Sequence, residues 1–203
     1  MSAPFDVVAL IGSLRRESYT RRLVHGLAAI ASNRLSLEVV EIGGLALYNQ
    51  DEELHPSSAW ISFRERVGRA DAVLFATPEY NRSVPGALKN AVDVGSRPYG
   101  KSVWAGKPCA IVTISIGALG GFGANHHLRQ SLVSLDMPTL QQPEMYLGQA
   151  QNLIDATGRF GDADTEAYCR RFLVTFEGWI ARHHGQRIAI EGSQGISPSD
   201  RIR

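Results

Sequence analysis

The sequence predicts a doubly wound α/β fold, in which a five-stranded parallel sheet lies between helices in three α/β/α layers. Short apolar segments rich in β-branched residues alternate with amphipathic helical segments along most of the chain. The apolar segments are uninterrupted, as expected for parallel strands buried on both faces. A chain of 203 residues, 44% hydrophobic and 20% charged, suits one globular domain with a substantial core.

The first strand, loop and helix set the pattern for the whole chain. Residues 7–11 form a short apolar run, and a polar loop follows at once. From residue 19 to about residue 33, apolar side chains such as Leu23, Val24 and Leu27 recur at helical spacing. Because each parallel crossover needs a covering helix, we expect the same unit to repeat. The repeats predict strands over 37–42, 72–76, 109–114 and 138–142, and helices over 57–69, 86–94, 124–135 and 163–183.

The last predicted helix carries a stripe of large side chains. Their spacing favours packing against the sheet over a cofactor-binding role. The stripe consists of Tyr168, Phe172, Phe176, Trp179 and His183. Residues 185–203 mix glycine, serine, proline and charge without helical periodicity. We therefore predict one domain over residues 1–184 and a tail over residues 185–203 that is mobile or is ordered only by a partner chain.

Composition narrows the function classes. The formal net charge of +1 gives no broad field to attract nucleic acid or an anionic membrane, so we expect neither partner. The start of the chain has an acid where an export signal has basic residues, and no apolar window is long enough to span a bilayer. Cys109 and Cys169 are too few and too far apart to indicate a disulfide framework or a zinc site. We expect a cytoplasmic protein without a bound metal.

Three loops follow strand ends at the edge where open parallel sheets bind ligands. The first has hydroxyls and a guanidinium just before a helix, so that these groups and the free helix-start amides can converge on a phosphate. Its candidate residues are Ser13, Arg15, Ser18 and Thr20. The alternative interpretation is that Ser18 only caps the helix and the arginines are solvated.

The second and third loops suit a flat ring. Pro78 and Pro85 bracket Glu79, Tyr80, Asn81, Arg82 and Ser83, which predicts an extended path that presents backbone groups; a rigid turn with a packed tyrosine is the alternative. The third loop is rich in glycine, which lets backbone approach a ligand closely, although an unliganded flexible turn would look the same. Its glycines are Gly117, Gly120, Gly121 and Gly123.

Several motifs occur in a fixed order along the chain. They are GSLRRESYTRRL, ATPEYNRSVPGALKNAVD with the following SRP, AGKP, and SIGALGG with LRQSL. In this order they resemble the flavodoxin-like NAD(P)H-dependent FMN reductase family, which includes quinone, azo-dye and chromate reductases. The resemblance extends from about residue 7 to about residue 148. It implies a flavodoxin-like fold, bound FMN, NADPH or NADH as co-substrate, and a homodimer or homotetramer. The implied partner is a small electron acceptor: a quinone, free flavin, an azo compound or chromate.

The same resemblance implies roles for individual residues. The FMN phosphate would be held by Ser13, Arg15, Ser18, Thr20 and the amide of Tyr19. The isoalloxazine would be lined, largely by backbone groups, by Pro78, Glu79, Tyr80, Asn81 and Ser83. The other edge of the ring would lie along Ser115, Gly117, Gly120 and Gly121. No catalytic side chain is required, because FMN carries the chemistry.

Three other functions compete with a reductase. A one-electron flavodoxin carrier shares the fold, but such carriers are usually strongly acidic, unlike this chain. A non-catalytic module would bind FMN without oxidising NAD(P)H. The segment GSRPYGKS over 95–102 matches a nucleotide-hydrolase phosphate loop, but it follows a predicted helix rather than a strand, and no long helix can follow it.

Overall fold

The computed structural model describes residues 3–192 and has the predicted parallel sheet. Its five strands are β1 (Phe5–Ile11), β2 (Leu35–Val40), β3 (Ala72–Thr77), β4 (Cys109–Ile114) and β5 (Met145–Leu147). They lie in the order β2-β1-β3-β4-β5, and all neighbours are parallel. The chain moves outward from β1 to β2 and then returns to the other side of β1. The order therefore reverses between β1 and β3, where ligands bind in doubly wound sheets.

Six α-helices surround the sheet in the part of the chain that the structure describes. They are α1 (Tyr19–Ile30), α2 (Ser58–Arg69), α3 (Gly86–Gly95), α4 (Phe122–Ser134), α5 (Ala150–Leu153) and α6 (Ala163–Gly192). Helices α1 and α6 share a core with one face of the sheet, whereas α2, α3 and α4 share a core with the other. The predicted three-layer α/β/α architecture is confirmed.

Side chains of β1 alternate between the two cores. Val7 and Ala9 belong to the core under α1 and α6, and Val8 and Leu10 to the opposite core. This alternation explains why the strand reads as an uninterrupted apolar run. The stripe predicted for the last helix also packs on the sheet, since Phe172 and Phe176 in α6 are fully buried.

The predicted position of the fifth strand is wrong. Residues 138–142 make only an isolated bridge, between Thr139 and Cys109, and the strand follows at Met145–Leu147. Proline lacks the amide donor that a strand ladder uses, and Pro138 and Pro143 flank this segment. The apolar pattern located the chain beside β4 but placed the ladder several residues too early.

The ends of the other elements differ modestly from their predicted positions. Helix α1 ends at Ile30 rather than near residue 33, and α4 begins two residues early, at Phe122. A short 3₁₀ helix at Gln50–Glu53 and helix α5 were not predicted. Helix α6 continues to Gly192, past the expected end near residue 183. Residues 193–203 of the predicted tail lie outside the described residues, and the tail's mobility stays a prediction.

Hydropathy along the helices bears on membrane insertion. Within residues 3–192, none of the helices combines the length and the apolar character that crossing a bilayer requires.

Candidate cofactor site

The first and second loops meet beyond the carboxyl ends of β1 and β3. The register pairs Ile11 with Ala76 at this edge and Thr77 with Thr113 on the next strand, so the loops after β1, β3 and β4 leave the sheet side by side. Between the first two loops and the start of α3 lies a cleft of about 440 Å³. It is lined by Gly12, Leu14, Arg15, Tyr80, Pro85, Gly86 and Ala87. A cleft of this size suits a cofactor-sized ligand.

The chain leaves β1 through a close contact that requires glycine. A Cβ added to Gly12 would lie 2.4 Å from Oγ1 of Thr77, at the end of β3. Since any side chain here would collide with the neighbouring strand end, Gly12 lets the first loop run directly against the second. The Ser13 and Tyr80 hydroxyls are 3.4 Å apart across the same junction.

The hydroxyls of the first loop are buried around the start of α1. Ser13, Ser18 and Thr20 are each at most 3% exposed. Ser18 Oγ accepts a hydrogen bond from the Arg21 amide at 3.2 Å, so the capping interpretation is right for this oxygen. The amides of Tyr19 and Thr20 belong to the first helical turn, which has no intrahelical acceptor for them. They remain able to bind an anion.

Arg15 is the cation available to that anion. Its side chain is exposed at the cleft and makes no ion pair with any of the described side chains, which end at residue 184. Arg21, by contrast, forms a two-fold hydrogen bond to Glu41, at 2.7 and 2.9 Å. The Arg21 hydrogen bond also lowers the pKa of the Glu41 carboxyl below its ordinary value. The loop therefore places the Arg15 guanidinium at the cleft, beside buried hydroxyls and free amides.

The second loop is a tight turn, which corrects the predicted extended path. Tyr80 and Ser83 exchange two backbone hydrogen bonds of 3.0 Å, and Asn81 and Arg82 between them have positive φ angles of 52° and 65°. Such a pair of residues is typical of a two-residue hairpin turn, which asparagine tolerates well. The tyrosine is not packed, because Tyr80 is 46% exposed in the cleft. The strained backbone at Arg82 costs on the order of 1 kcal/mol.

The third loop packs against the sheet rather than standing free. Gly120 has a φ of +59°, and a Cβ there would lie 2.6 Å from the carbonyl carbon of Tyr146. The Ser115 amide donates a hydrogen bond of 3.0 Å to the Leu147 carbonyl. The Ser115 hydroxyl donates one of 3.2 Å to the Gly117 carbonyl. Glycine at position 120 is therefore required by contact with β5, whatever ligand lies beside the loop.

Two histidines of α4 contact the second loop and β5, and the sequence analysis did not predict these contacts. His127 Nδ1 lies 2.8 Å from Ser83 Oγ in the second loop. His126 Nε2 instead lies 3.1 Å from the Tyr146 hydroxyl, and its ring is 4.2 Å from that of Phe122. Adjacent residues on a helix point in different directions, so the two histidines have different partners. The available signal was that α4 begins at the same sheet edge as the second loop.

The two cysteines supply no reactive thiol. Cys109 and Cys169 are free and buried, and burial raises the pKa of each thiol to about 12. A thiolate nucleophile is therefore disfavoured at neutral pH. Cys109 lies in β4 as a small core residue, as its sequence context indicated.

The segment over residues 95–102, which matches a phosphate-loop motif in sequence, does not form a phosphate loop. Residues 95–102 lie between the end of α3 and β4, and the chain enters a strand at Cys109 without an intervening helix. A phosphate loop needs a strand before it and a helix after it. The rejection of a nucleotide hydrolase on sequence grounds is supported by this arrangement.

Fold and site together define a flavodoxin-like protein with its ligand edge at the ends of β1, β3 and β4. The flavodoxin of Pseudomonas aeruginosa shares this fold, with a TM-score of 0.55 at 14% identity over 86% of this chain and 98% of that one. A family model described as NADPH-dependent FMN reductase matches residues 5–152. The chain belongs to that family. Its prediction as an NAD(P)H-dependent flavoprotein oxidoreductase is thereby confirmed.

Individual relatives cover nearly the whole chain. A quinone reductase of Pseudomonas putida is 54% identical over 181 residues, which is 89% of this chain and 97% of the relative. A 2-hydroxy-1,4-benzoquinone reductase of Burkholderia is 43% identical, covering 86% and 95% respectively. Among solved structures, the flavoenzyme NAD(P)H:(acceptor) oxidoreductase of Paracoccus denitrificans has a TM-score of 0.84 at 35% identity, over 88% of this chain and 98% of that one.

Proposed function

We propose that this protein is an NAD(P)H:quinone oxidoreductase that holds one FMN in the cleft between the first two loops. The observation that carries the proposal is Arg15 at the cleft, beside three buried hydroxyls and two free helix-start amides, at the switch point of a doubly wound sheet. The relatives with quinone reductase names at 54% and 43% identity support a quinone as acceptor.

The phosphate end of FMN would lie on the first loop. Ser13, Ser18 and Thr20 would donate hydroxyl hydrogen bonds, and Tyr19 and Thr20 their amides. Arg15 would supply the charge-assisted contact, since it is the arginine in this loop that lines the cleft. The positive end of the α1 dipole adds to the attraction.

The ring end would lie against the other two loops. Backbone groups of the second loop would face the isoalloxazine, through Pro78, Glu79, Tyr80, Asn81 and Ser83. The third loop would border its opposite edge, through Ser115, Gly117, Gly120 and Gly121. The hairpin turn supports the proposal, because two hydrogen bonds fix its backbone before any ligand arrives.

Bound FMN supplies the redox chemistry, in which NAD(P)H gives a hydride and the acceptor is reduced by two electrons and two protons. The chain's own residues hold the phosphate, orient the ring and keep a face of it accessible through the open cleft. Side-chain nucleophiles take no part, in keeping with the buried cysteines. Positioning and backbone electrostatics account for the protein's contribution.

The direct test is to purify the protein and measure its flavin absorption and its turnover. NADPH and NADH oxidation are compared with a benzoquinone, free FMN, an azo dye and chromate as acceptors. We expect a yellow protein that reduces the quinone fastest and also reduces the other three acceptors. A stable semiquinone without NAD(P)H oxidation would indicate a flavodoxin-type carrier. Flavin binding without any turnover would indicate a non-catalytic module.

The phosphate assignment predicts that Arg15→Ala loses flavin during purification. Charge-assisted hydrogen bonds contribute about 1.5–3 kcal/mol, so the Kd for FMN should rise roughly 10- to 100-fold. Fluorescence titration of the apoprotein with FMN measures the change. Arg16→Ala is the matched control, because Arg16 is exposed in the same loop and does not line the cleft. If Arg15→Ala retains full FMN, the phosphate assignment is wrong.

We also propose that the protein is a homodimer or homotetramer. Three large apolar side chains are exposed beside the site, with 68%, 63% and 50% of their surface accessible. They are Ile116, Leu119 and Phe122. An apolar cluster of this kind on a soluble chain indicates a contact surface. Light scattering coupled to gel filtration tests the assembly, and a monomer at micromolar concentration would contradict it.

A further inference from the structure

The side chain of Glu79, in the second loop, contacts α4, the helix that follows the third loop. Glu79 Oε2 accepts a hydrogen bond of 3.2 Å from the amide of Ala124, in the first turn of α4. The two residues are 45 positions apart in the chain. A long-range contact therefore fixes the start of α4, and with it the third loop, relative to the second loop.

Helix α4 needs this contact because its own N-cap residue offers none. The N-cap is Gly121, which has no side chain to accept a hydrogen bond from the first-turn amides. Ser18 provides such an acceptor locally for α1. At α4 the acceptor comes instead from Glu79, whose side chain is only 15% exposed. A carboxylate at this end also complements the helix dipole.

The Glu79 carboxylate is packed closely against the first turn of α4. A Cβ added to Gly123 would lie 2.9 Å from Glu79 Oε2 and 2.9 Å from the carbonyl oxygen of Arg82. The glycine thus lets the second loop approach the first turn of α4. Arg82 Nη1 lies 3.7 Å from the other carboxylate oxygen, but this side chain is 79% exposed and holds the carboxylate weakly.

A second contact runs parallel to the first. Ser83, at the far end of the hairpin turn, pairs with His127, one helical turn after Gly123. Both ends of the turn at Asn81 and Arg82 are therefore attached to α4. Because the contacts with α4 already order the two loops, a ligand that binds between them pays a smaller cost in conformational entropy.

We propose that Glu79 is a positioning residue, whose carboxylate caps α4 and thereby holds the second and third loops at the spacing that the FMN ring requires. The inference deepens the proposed function and depends on it. It gives the Glu79 side chain a role distinct from the backbone contact expected from the sequence. The hydrogen-bond acceptor, rather than the negative charge, is the feature that the role demands.

The test compares Glu79→Ala with Glu79→Gln by fluorescence titration of the apoproteins with FMN. Glu79→Ala removes the acceptor, and we expect the Kd for FMN to rise about tenfold, the equivalent of one lost cap. Glu79→Gln keeps an oxygen acceptor and should restore the Kd to within about threefold of the wild type. Glu65→Ala, an exposed carboxylate on α2, is the control and should bind FMN as the wild type does.

The outcomes separate the inference from the proposed function. Wild-type Kd in Glu79→Ala, or equal weakening in Glu79→Gln and Glu79→Ala, overturns the positioning role. If Glu79→Ala does not fold, Gly123→Ala displaces the carboxylate instead and should weaken FMN binding similarly; an unchanged Kd there overturns the role.

If the wild type binds no FMN, the proposed function fails, and urea unfolding of the apoproteins decides whether Glu79 caps α4. A lower midpoint for Glu79→Ala than for Glu79→Gln then supports the cap, and equal midpoints overturn it.

Discussion

The phosphate end and the ring end of the candidate site are built in different ways. At the phosphate end, Ser13, Arg15 and Ser18 lie within one short loop, and Ser18 caps the helix that follows. At the ring end, Glu79 and Ser83 hold the turn at Asn81 and Arg82 against α4, and the third loop packs against β5. The helix cap of the first region is made by near neighbours in sequence, whereas the contacts that hold the two loops of the second region join residues distant in sequence.

The two ends should therefore respond differently to substitution. A local motif tolerates changes elsewhere in the fold, because its own hydrogen bonds define it. A region assembled from distant segments depends on close approach between backbones, which one added methyl group can prevent. Substitutions at the ring end should therefore affect folding and flavin binding together, whereas those at the phosphate end should affect mainly binding.

The largest expected effect comes from Gly120→Ala. The new methyl group would meet the backbone of β5 at 2.6 Å and would force a side chain into a φ of +59°. The backbone strain costs about 1 kcal/mol and the overpacking roughly another 1–3 kcal/mol. Urea unfolding of the apoprotein measures the loss, and FMN titration should show weaker binding as well.

Gly100→Ala is the matched control for this change. Gly100 has a similar φ of +76°, but a Cβ there meets nothing within 4 Å. It should show only the strain, about 1 kcal/mol, and normal FMN binding. Equal destabilisation of the two variants would contradict the idea that the ring end depends on close packing against β5.

The same contrast explains what the sequence could predict. Alternating strand and helix patterns are local, and they predicted the architecture and four of the five strands. The fifth strand was misplaced because β5 has only the three residues Met145–Leu147, and prolines interrupt the apolar pattern before it. A ladder this short is defined by its partner β4 and not by its own composition.

At the site, the grouping of the first loop's hydroxyls and Arg15 at the start of α1 could be predicted, because these residues are adjacent in sequence. The hairpin turn stood only as the alternative interpretation, because Pro78 and Pro85 suggested an extended path and the reversal depends on positive φ angles at two non-glycine residues. The contacts of Glu79 with Ala124 and of His127 with Ser83 could not be predicted either, because each joins residues more than 40 positions apart. Motif resemblance identified these loops without revealing how their side chains interact.

An intermediate effect is expected from Ser18→Ala, compared with Ser57→Ala. Both serines are N-caps, accepting from Arg21 at 3.2 Å and from Trp60 at 3.3 Å respectively. Each substitution should lower the free energy of unfolding by about 1 kcal/mol through loss of the cap. Only Ser18→Ala should also weaken FMN binding, because Ser18 lies in the proposed phosphate-binding loop at the start of α1, whereas Ser57 begins α2. Unaltered FMN affinity in Ser18→Ala would reduce this serine to a capping role.

The smallest expected effect tests whether the phosphate end uses one arginine or two. Glu41→Gln frees Arg21, and because the Glu41 side chain is 66% exposed, the lost pair is worth about 0.5 kcal/mol or less at pH 7. The hydrogen bond from Arg21 lowers the pKa of the Glu41 carboxyl in the folded protein. The stabilisation by the pair is therefore present above the ordinary carboxyl pKa and disappears as the pH falls through the lowered value. Wild type and variant should thus converge in stability in acid. FMN affinity should stay unchanged, as in the control Glu166→Gln, which breaks the exposed pair with Arg170 on α6. Tighter FMN binding in Glu41→Gln alone would mean that Arg21, once released, joins Arg15 at the phosphate.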